Sequence, residues 1–103
     1  MITAVVQFPM PEGVTREDAR SLFESSAPRY REVAGLLRKY YLFDEQERVA
    51  GGCYLFESRA AADDAFDDDW RKLIEGRYGS RPQVHYFETP VVVDNVTGDI
   101  VVD

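Results

Sequence analysis

The sequence predicts an α+β fold, a ferredoxin-like βαββαβ sandwich in which one antiparallel sheet carries both helices on the same face. Two observations predict it. The elements are ordered strand-helix-strand twice in succession, and two such halves build this kind of sandwich. The chain has 103 residues, which on length alone is one domain with no room for a second core. We therefore expect residues 1–103 to form a single folded unit.

The first predicted strand spans the apolar, β-branched residues Ile2 to Phe8. A helix is expected next, because Thr15 with an acidic residue three positions later resembles a capping box. Apolar residues then recur at spacings of three and four over residues 19–37, which is the period of a helix with one buried face. Pro28 lies inside this pattern and predicts a kink or a break. Gly35 is the expected helix terminator.

The middle of the chain predicts two more strands, over residues 36–43 and 49–57, joined by a charged turn. Strand alternation places Leu37, Lys39 and Tyr41 on one face of the first of these strands. The opposite face then receives the residues between them.

Gly51 and Gly52, within the third strand, predict a bulge or a close approach of two backbones. Ser58 is the expected cap of a second helix, whose apolar positions continue to Ile74. The remaining predicted strands span residues 83–89, 91–93 and 100–102, and the last two form a C-terminal β-hairpin.

Apolar side chains occupy both faces of the central strands, since neighbours such as Tyr40 and Tyr41, or Tyr86 and Phe87, are both aromatic. An antiparallel sheet with one wet face would carry polar residues there. Because the chain has no spare residues to cover a second face, the natural cover is another copy. We therefore predict a two-fold homodimer that packs sheet against sheet. The terminal hairpin is expected to pack along the sheet edge or to reach the partner subunit.

The composition excludes several classes of partner and site. With 12 basic and 19 acidic residues the net charge is −7, which suits neither nucleic acid nor an anionic membrane surface. The single cysteine, Cys53, excludes a disulfide framework and a cysteine-based zinc site. The acidic run over residues 63–69 is expected to be a solvated helix face and not a metal site. Together these features predict a cytoplasmic protein that binds no metal.

Three segments, residues 35–42, 51–59 and 77–82, share a pattern of glycines, aromatic residues and one lysine. Together with the opening strand they resemble the YdhR-type monooxygenases of the dimeric α/β-barrel superfamily, over nearly the whole chain up to the terminal hairpin. The resemblance implies a homodimer whose two sheets form a barrel, with a pocket between each sheet and its helices or within the barrel. Some members of the superfamily oxygenate aromatic polyketides without metal or flavin. Others bind haem, isomerise lactones or have no established activity.

Oxygenation without a cofactor has a definite physical requirement, because triplet oxygen reacts slowly with closed-shell organic molecules. The protein must bind a flat aromatic substrate, promote loss of its acidic proton and exclude water. This calls for an aromatic-lined cavity that contains a few polar groups. We identify Lys39 and His85 as candidate catalytic residues, and Tyr41, Tyr54 and Trp70 as candidate substrate-binding residues.

Each candidate also has an ordinary structural explanation. His85, the only histidine, is either a general base or anion stabiliser, or a strand residue hydrogen-bonded at an interface. Lys39 either attracts an anionic substrate or a superoxide-like intermediate, or it extends to the sheet edge and pairs with a carboxylate. The tyrosines and Trp70 either shape a cavity or pack in an interface and the core. Cys53 is expected to be a buried, inert thiol.

The predicted function is a cofactor-independent monooxygenase, an oxidoreductase that acts on a small hydrophobic aromatic substrate of the phenol or quinol type. The alternative is a non-catalytic homodimeric module that binds a small ligand or another protein. A haem-binding protein is a third alternative, in which His85 supplies the axial ligand. A pocket of about 300 Å³ or more in the dimer that contains Lys39 or His85 would favour the enzyme, whereas a filled interior would favour the module.

Overall fold

The computed structural model describes every residue from Met1 to Asp103. It confirms the α+β class and the predicted order of elements, with one helix more than expected. None of the helices is long and apolar enough to cross a membrane. The elements are, in chain order, β1 (Ile2–Pro9), α1 (Arg16–Tyr30), β2 (Leu36–Asp44), β3 (Val49–Phe56), α2 (Arg59–Ala65), α3 (Asp68–Tyr78), β4 (Gln83–Glu88), β5 (Val91–Asp94) and β6 (Asp99–Val102).

The main sheet has four strands in the order β2-β3-β1-β4, and all neighbouring strands are antiparallel. Two strand-helix-strand halves give this order in a ferredoxin-like sandwich. Alternation along β1 separates the two faces of the sheet. Ala4, Val6 and Phe8 are buried on the face that the helices cover. Thr3 and Val5 lie on the opposite face, which we call the open face because no helix covers it.

A bulge at the start of β2 decides which of its side chains face the helices. Between Leu36 and Arg38 the pairing with β3 advances by only one residue, so Leu37 is inserted into the ladder. Leu36 therefore packs against the core. Leu37, which we expected on the same face as Lys39, is 49% exposed, so that expectation is wrong. Regular alternation resumes after the bulge.

The capping box at the start of α1 is confirmed. The Thr15 hydroxyl accepts a hydrogen bond from the Asp18 backbone N–H, and the Asp18 carboxylate accepts one from the Thr15 N–H, both at 3.1 Å. Pro28 does not break the helix where it stands, because it lies in the last turn and α1 ends two residues later at Tyr30. Gly35 has a φ of +77° and lies after the helix, where it turns the chain into β2.

The second predicted helix is in fact two helices, α2 and α3, with Phe66 and Asp67 between them. The Asp67 carboxylate accepts a hydrogen bond from the Trp70 backbone N–H at 2.8 Å and so caps a new helix. Asp68 and Asp69 then occupy its first turn, where the helix dipole favours negative charge. Apolar residues keep a helical spacing across the break, so periodicity alone did not reveal it.

The core lies between the three helices and the helix-facing side of the sheet, and aromatic rings dominate it. Phe66 is at its centre. The Phe66 ring meets those of Tyr54 and Phe56 edge-on, with centroids 4.9 and 5.4 Å away. Its centroid is also 4.3 Å from that of Trp70. Each such aromatic pair adds about 0.5–1.5 kcal/mol beyond simple area burial.

The terminal hairpin of β5 and β6 forms a separate two-stranded sheet that is not hydrogen-bonded to the strands of the main sheet. It is attached beside the open face, where the Arg38 guanidinium donates to the Asp94 carboxylate at 2.5 Å. Val92 is half-buried, whereas most other apolar side chains of the hairpin are in solvent, and Val93 and Ile100 are 64% and 69% exposed. The hairpin is therefore free to contact a second chain.

Gly51 lies where β3 passes close to β1, as predicted. A Cβ added there would lie 1.7 Å from the carbonyl oxygen of Val6, so the backbone would have to move. We expect Gly51→Ala to lower the free energy of unfolding by about 3 kcal/mol. The control is Gly76→Ala in α3, where an added Cβ has no neighbour within 4 Å. Denaturant unfolding should show that Gly76→Ala raises the free energy of unfolding by about 0.5–1 kcal/mol. Equal changes in the two variants would contradict the close approach at Gly51.

Candidate active site

A cavity of about 190 Å³ lies between the helix-facing side of the sheet and helices α1 and α3. Sites for drug-sized ligands have volumes of about 300–1,000 Å³, so this cavity has room for a small ring system only. In the single chain it is smaller than about 300 Å³ and yet is not filled. A neighbouring surface pocket of about 390 Å³ also contains Lys39. The volume criterion concerns the dimer and stays a prediction. The side chains that carry the chemistry of the cavity are Tyr30, Lys39, Tyr41, Tyr54, Trp70 and Tyr78.

Lys39 is the polar centre of the cavity. It lies half-buried on the helix-facing side of β2, on the same face as Tyr41, as strand alternation predicted for this pair. Its Nζ is 3.2 Å from the ring centroid of Tyr30, 3.7 Å from that of Tyr41 and 4.7 Å from that of Tyr54. The amine thus lies among the faces of three tyrosine rings and does not extend to the edge of the sheet.

Gly52 makes room for this lysine. It pairs with Tyr41 in the ladder between β2 and β3, on the same face of the sheet. A Cβ at this position would lie 2.8 Å from Cε1 of Tyr54 and 3.3 Å from Cε of Lys39. Only a glycine leaves the Lys39 side chain and the Tyr54 ring in their present positions.

The surroundings of Lys39 favour its uncharged form. Burial, together with the nearby charge of Arg29, lowers the pKa of Lys39 from 10.5 to about 6. No carboxylate forms an ion pair with it. The tyrosine ring faces act to raise the pKa of Lys39, because their partial negative charge attracts an ammonium. With a pKa of about 6, the side chain is mainly a neutral amine at pH 7 and can accept a proton.

The phenols around the amine remain protonated. Burial raises the pKa of both Tyr54 and Tyr41 above the usual value for tyrosine. The Tyr41 hydroxyl shares a hydrogen bond of 2.8 Å with Ser26, and the Trp70 indole N–H donates to the Tyr30 hydroxyl at 3.0 Å. The cavity wall is therefore a set of neutral hydrogen-bonding groups attached to apolar rings.

The structure brings together Lys39, Tyr41, Tyr54 and Trp70, but it separates them from His85. His85 pairs with Val5 of β1 and is exposed on the open face of the sheet. Because the sheet lies between the two side chains, His85 and Lys39 do not share the cavity of one chain. A haem seated in this cavity would likewise find no imidazole there.

Cys53 and the acidic run over residues 63–69 lie outside the cavity, and neither is arranged for catalysis or metal binding. Cys53 is half-buried on the open face, with its thiol free. Within the acidic run, Asp67 serves as a helix cap and Asp63 accepts a hydrogen bond from Arg59 at 3.0 Å. No group of three or more His, Cys, Asp or Glu side chains is arranged to hold a metal ion.

Four side chains of the cavity, Tyr30, Tyr78, Arg29 and Arg77, were not among the residues predicted from the sequence. Tyr30 belongs to the apolar repeat of α1 and was treated as an ordinary helix residue. Arg29 and Arg77 lie in the last turns of α1 and α3, where basic residues are common. One signal could have drawn attention to both arginines. Arg20 has an acidic residue four positions later, whereas neither Arg29 nor Arg77 has one four positions away on either side.

The lowered pKa of Lys39 predicts a pH-dependent stability. Between pH 6 and 10.5 the unfolded chain binds a proton at Lys39 that the folded protein does not, so the wild-type free energy of unfolding rises with pH in this window. We expect Lys39→Met to have a free energy of unfolding about 1–3 kcal/mol above that of the wild type at or below pH 6. This difference should shrink as the pH rises toward 10.

Urea unfolding of wild type and variant across this pH range measures the difference. Lys72→Met, which removes the exposed lysine of α3, is the matched control and should show no such trend. A gain from Lys39→Met that does not vary with pH would contradict the assignment of a neutral amine.

Several solved structures share this fold. A monooxygenase from the gene ActVA-Orf6 of Streptomyces coelicolor, crystallised with the ligand Nanaomycin D, matches with a TM-score of 0.65 and 22% identity, covering 85% of this chain and 86% of that one. Protein SO0527 from Shewanella oneidensis matches with a TM-score of 0.65 and 22% identity, covering 85% and 89%. SnoaB from Streptomyces nogalater, a cofactor-independent oxygenase, matches with a TM-score of 0.62 and 14% identity, covering 85% and 91%.

At these identities the structural matches establish a common fold and leave the chemistry open. None of the curated proteins matches the chain in sequence. A family model, described as "Putative mono-oxygenase ydhR", matches residues 4–91, which include the main sheet, all three helices and every cavity residue named above. This chain therefore belongs to the ydhR mono-oxygenase family.

Proposed function

We propose that the protein is a cofactor-independent monooxygenase whose substrate is a small phenol or quinol bound in the cavity. The observation that carries the proposal is the half-buried amine of Lys39, held among three tyrosine rings without a carboxylate partner. Family membership supports the reaction class. The shared fold with a cofactor-independent oxygenase is consistent with chemistry that needs no bound cofactor.

Proton transfer is the first step of the proposed reaction, and Lys39 carries it. The neutral amine accepts the proton of the substrate hydroxyl, which leaves a phenolate beside an ammonium. The phenolate gives one electron to O₂, and the substrate radical and superoxide then combine at a ring carbon to form a peroxide anion. The Lys39 ammonium returns its proton to this anion, which gives a hydroperoxide and restores the neutral amine. Loss of water from the hydroperoxide leaves a carbonyl group. In total a phenol and O₂ give a quinone and water, so the substrate supplies all the electrons.

The rest of the cavity positions the substrate and controls charge. The ammonium formed on Lys39 remains close to the developing superoxide and stabilises it electrostatically. Tyr41, Tyr54 and Trp70 keep their predicted role as flat walls against which the substrate ring stacks, and they exclude water. His85 takes no part in this step within one chain.

One observation favours the second candidate function, a non-catalytic homodimeric module that binds a small ligand. The cavity volume, about 190 Å³, is below the size expected for the enzyme. In this alternative Lys39 holds an acidic ligand without turnover, and the surrounding rings are packing. Oxygen consumption separates the two functions, because both predict ligand binding and only the enzyme consumes O₂.

We also propose that the protein acts as a homodimer in which a second copy covers the open face, in the cytoplasmic setting predicted from the sequence. Tyr40 and Phe87, on the two edge strands of this face, are 54% and 56% exposed, and large exposed aromatic surface often marks an interaction site. The exposed apolar hairpin stands beside the same face. Two copies that met there would bury both features, form a barrel from their sheets and place His85 in the interface.

We expect the metal-free protein to accelerate O₂ uptake by one or more members of a panel of hydroquinones and naphthols. Lys39→Met should lower that rate by about 10²–10⁴-fold, because it removes the general base. Lys72→Met should leave the rate unchanged, since that amine is exposed on α3. An oxygen electrode measures both. Uptake at the buffer rate for every substrate, or a full rate in Lys39→Met, would contradict the catalytic proposal.

Analytical ultracentrifugation at low micromolar concentration tests the dimer. Phe87→Glu should raise the dimer dissociation constant by about tenfold or more, because it places a charge in the buried face. Removal of all residues after Thr89 should also weaken the dimer, because it deletes the hairpin. Ser21→Glu on the exposed surface of α1 is the matched control. A folded wild-type monomer at this concentration would rule out the proposed assembly.

A further inference from the structure

The cavity has a charge opposite to that of the protein as a whole. The chain carries 19 acidic and 12 basic residues, yet the cavity is lined by Arg29, Lys39 and Arg77 and by no acidic residue. Six other arginines form ion pairs with carboxylates, whereas Arg29 and Arg77, like Arg31 and Arg71, do not. The cavity of an acidic protein thus carries two arginine charges beside a mainly neutral amine, with no acidic residue in its lining.

Two helices bring the arginines to the same side of the cavity. Arg77 of α3 reaches across to α1, where its Nη2 donates to the Leu22 carbonyl oxygen at 2.7 Å and to the Ser25 hydroxyl. Arg29 lies one turn beyond Ser25 on α1, so both guanidinium groups lie along the same stretch of that helix. Arg29 makes no side-chain hydrogen bond, and Arg77 still has free N–H groups.

The three basic side chains differ in how deeply they are buried. Arg29 and Arg77 are exposed, whereas Lys39 is half-buried between the sheet and α1. The arginines therefore stand at the entrance of the cavity and the amine lies further in. A ligand with an acidic group at one end and a ring at the other would match this order. Its charge would stay partly hydrated at the entrance, which avoids the large cost of burying an ion.

We propose that Arg29 and Arg77 form an anion subsite at the entrance, and that the ligand of the cavity is an aromatic molecule bearing a carboxylate or a comparably acidic group. Guanidinium groups suit carboxylates because their planar N–H groups can donate two parallel hydrogen bonds. The inference rests on the proposed function and defines its substrate class more closely. Within that class, the ring hydroxyl meets Lys39 while the acidic group stays with the arginines.

Isothermal titration calorimetry with matched pairs of ligands tests the subsite. The probes are benzoate against benzamide, and 4-hydroxybenzoate against 4-hydroxybenzamide, which differ in charge and hardly in shape. We expect each acid to bind at least about tenfold more tightly than its amide. Arg29→Met should reduce this preference to about threefold or less, and Lys72→Met should preserve it. Added salt should weaken the preference, because the arginines are exposed.

Arg29→Met is the decisive variant, since Arg77 also connects α3 to α1 and its removal can disturb the fold. Arg77→Lys keeps the charge and should retain most of the preference. Equal binding of acid and amide overturns the subsite, as does a preference that survives Arg29→Met. Absence of binding by every acid at millimolar concentration overturns it as well.

The same ligands separate this inference from the proposed reaction. An acid preference without O₂ uptake on any phenolic acid retains the anion subsite and contradicts the oxygenase. Uptake that is equally fast with 4-hydroxybenzamide and 4-hydroxybenzoate, with equal affinities, retains the oxygenase and overturns the subsite.

Discussion

The alternation of side chains along β2 is the constraint on which the site and the proposed assembly both depend. A strand has a period of two, so a shift of one residue would move Lys39 and Tyr41 to the open face and bring Arg38 and Tyr40 inward. The bulge at Leu37 sets this parity at the start of the strand. The same alternation, continued across the sheet, leaves an aromatic surface on the side that no helix covers.

The burial of Lys39 is the feature that most favours the proposed ligand site. A half-buried amine without a carboxylate partner costs stability, and packing alone would be served better by methionine or leucine. Gly52, which gives up a side chain to leave space beside this amine, increases that cost through its greater backbone freedom when unfolded. A site that sacrifices stability at two adjacent strands is characteristic of function and uncommon in a purely structural core.

Much of the fold was accessible from the sequence because local chemistry specifies it. The capping box at Thr15, the strand patterns and the close approach at Gly51 all follow from residue type and spacing. The break between α2 and α3 was not accessible in this way, because Asp67 caps a new helix while the apolar spacing runs on unchanged. The position of Leu37 was missed for a related reason, since a bulge depends on the pairing of two strands and leaves no clear sign in one of them.

The site was predictable in part. Alternation from Lys39 correctly placed Tyr41 on its face, and the structure adds Tyr54 and Trp70 to the same cavity. The separation of His85 could not be read from β4, because Val84 and Tyr86 on one side and Phe87 on the other are all apolar and leave the parity undecided. The presence of both Arg29 and Arg77 at one cavity depends on the packing of α1 against α3, which no local pattern encodes.

Trp70 is the only tryptophan of the chain, and it stands in the cavity wall with its indole N–H bonded to the Tyr30 hydroxyl. The ring of that same tyrosine lies beneath the Lys39 amine. A single chromophore is therefore connected through one phenol to the group that is proposed to exchange protons. The intrinsic ultraviolet emission of the protein consequently reports on occupancy of the cavity, and no dye or label has to be attached.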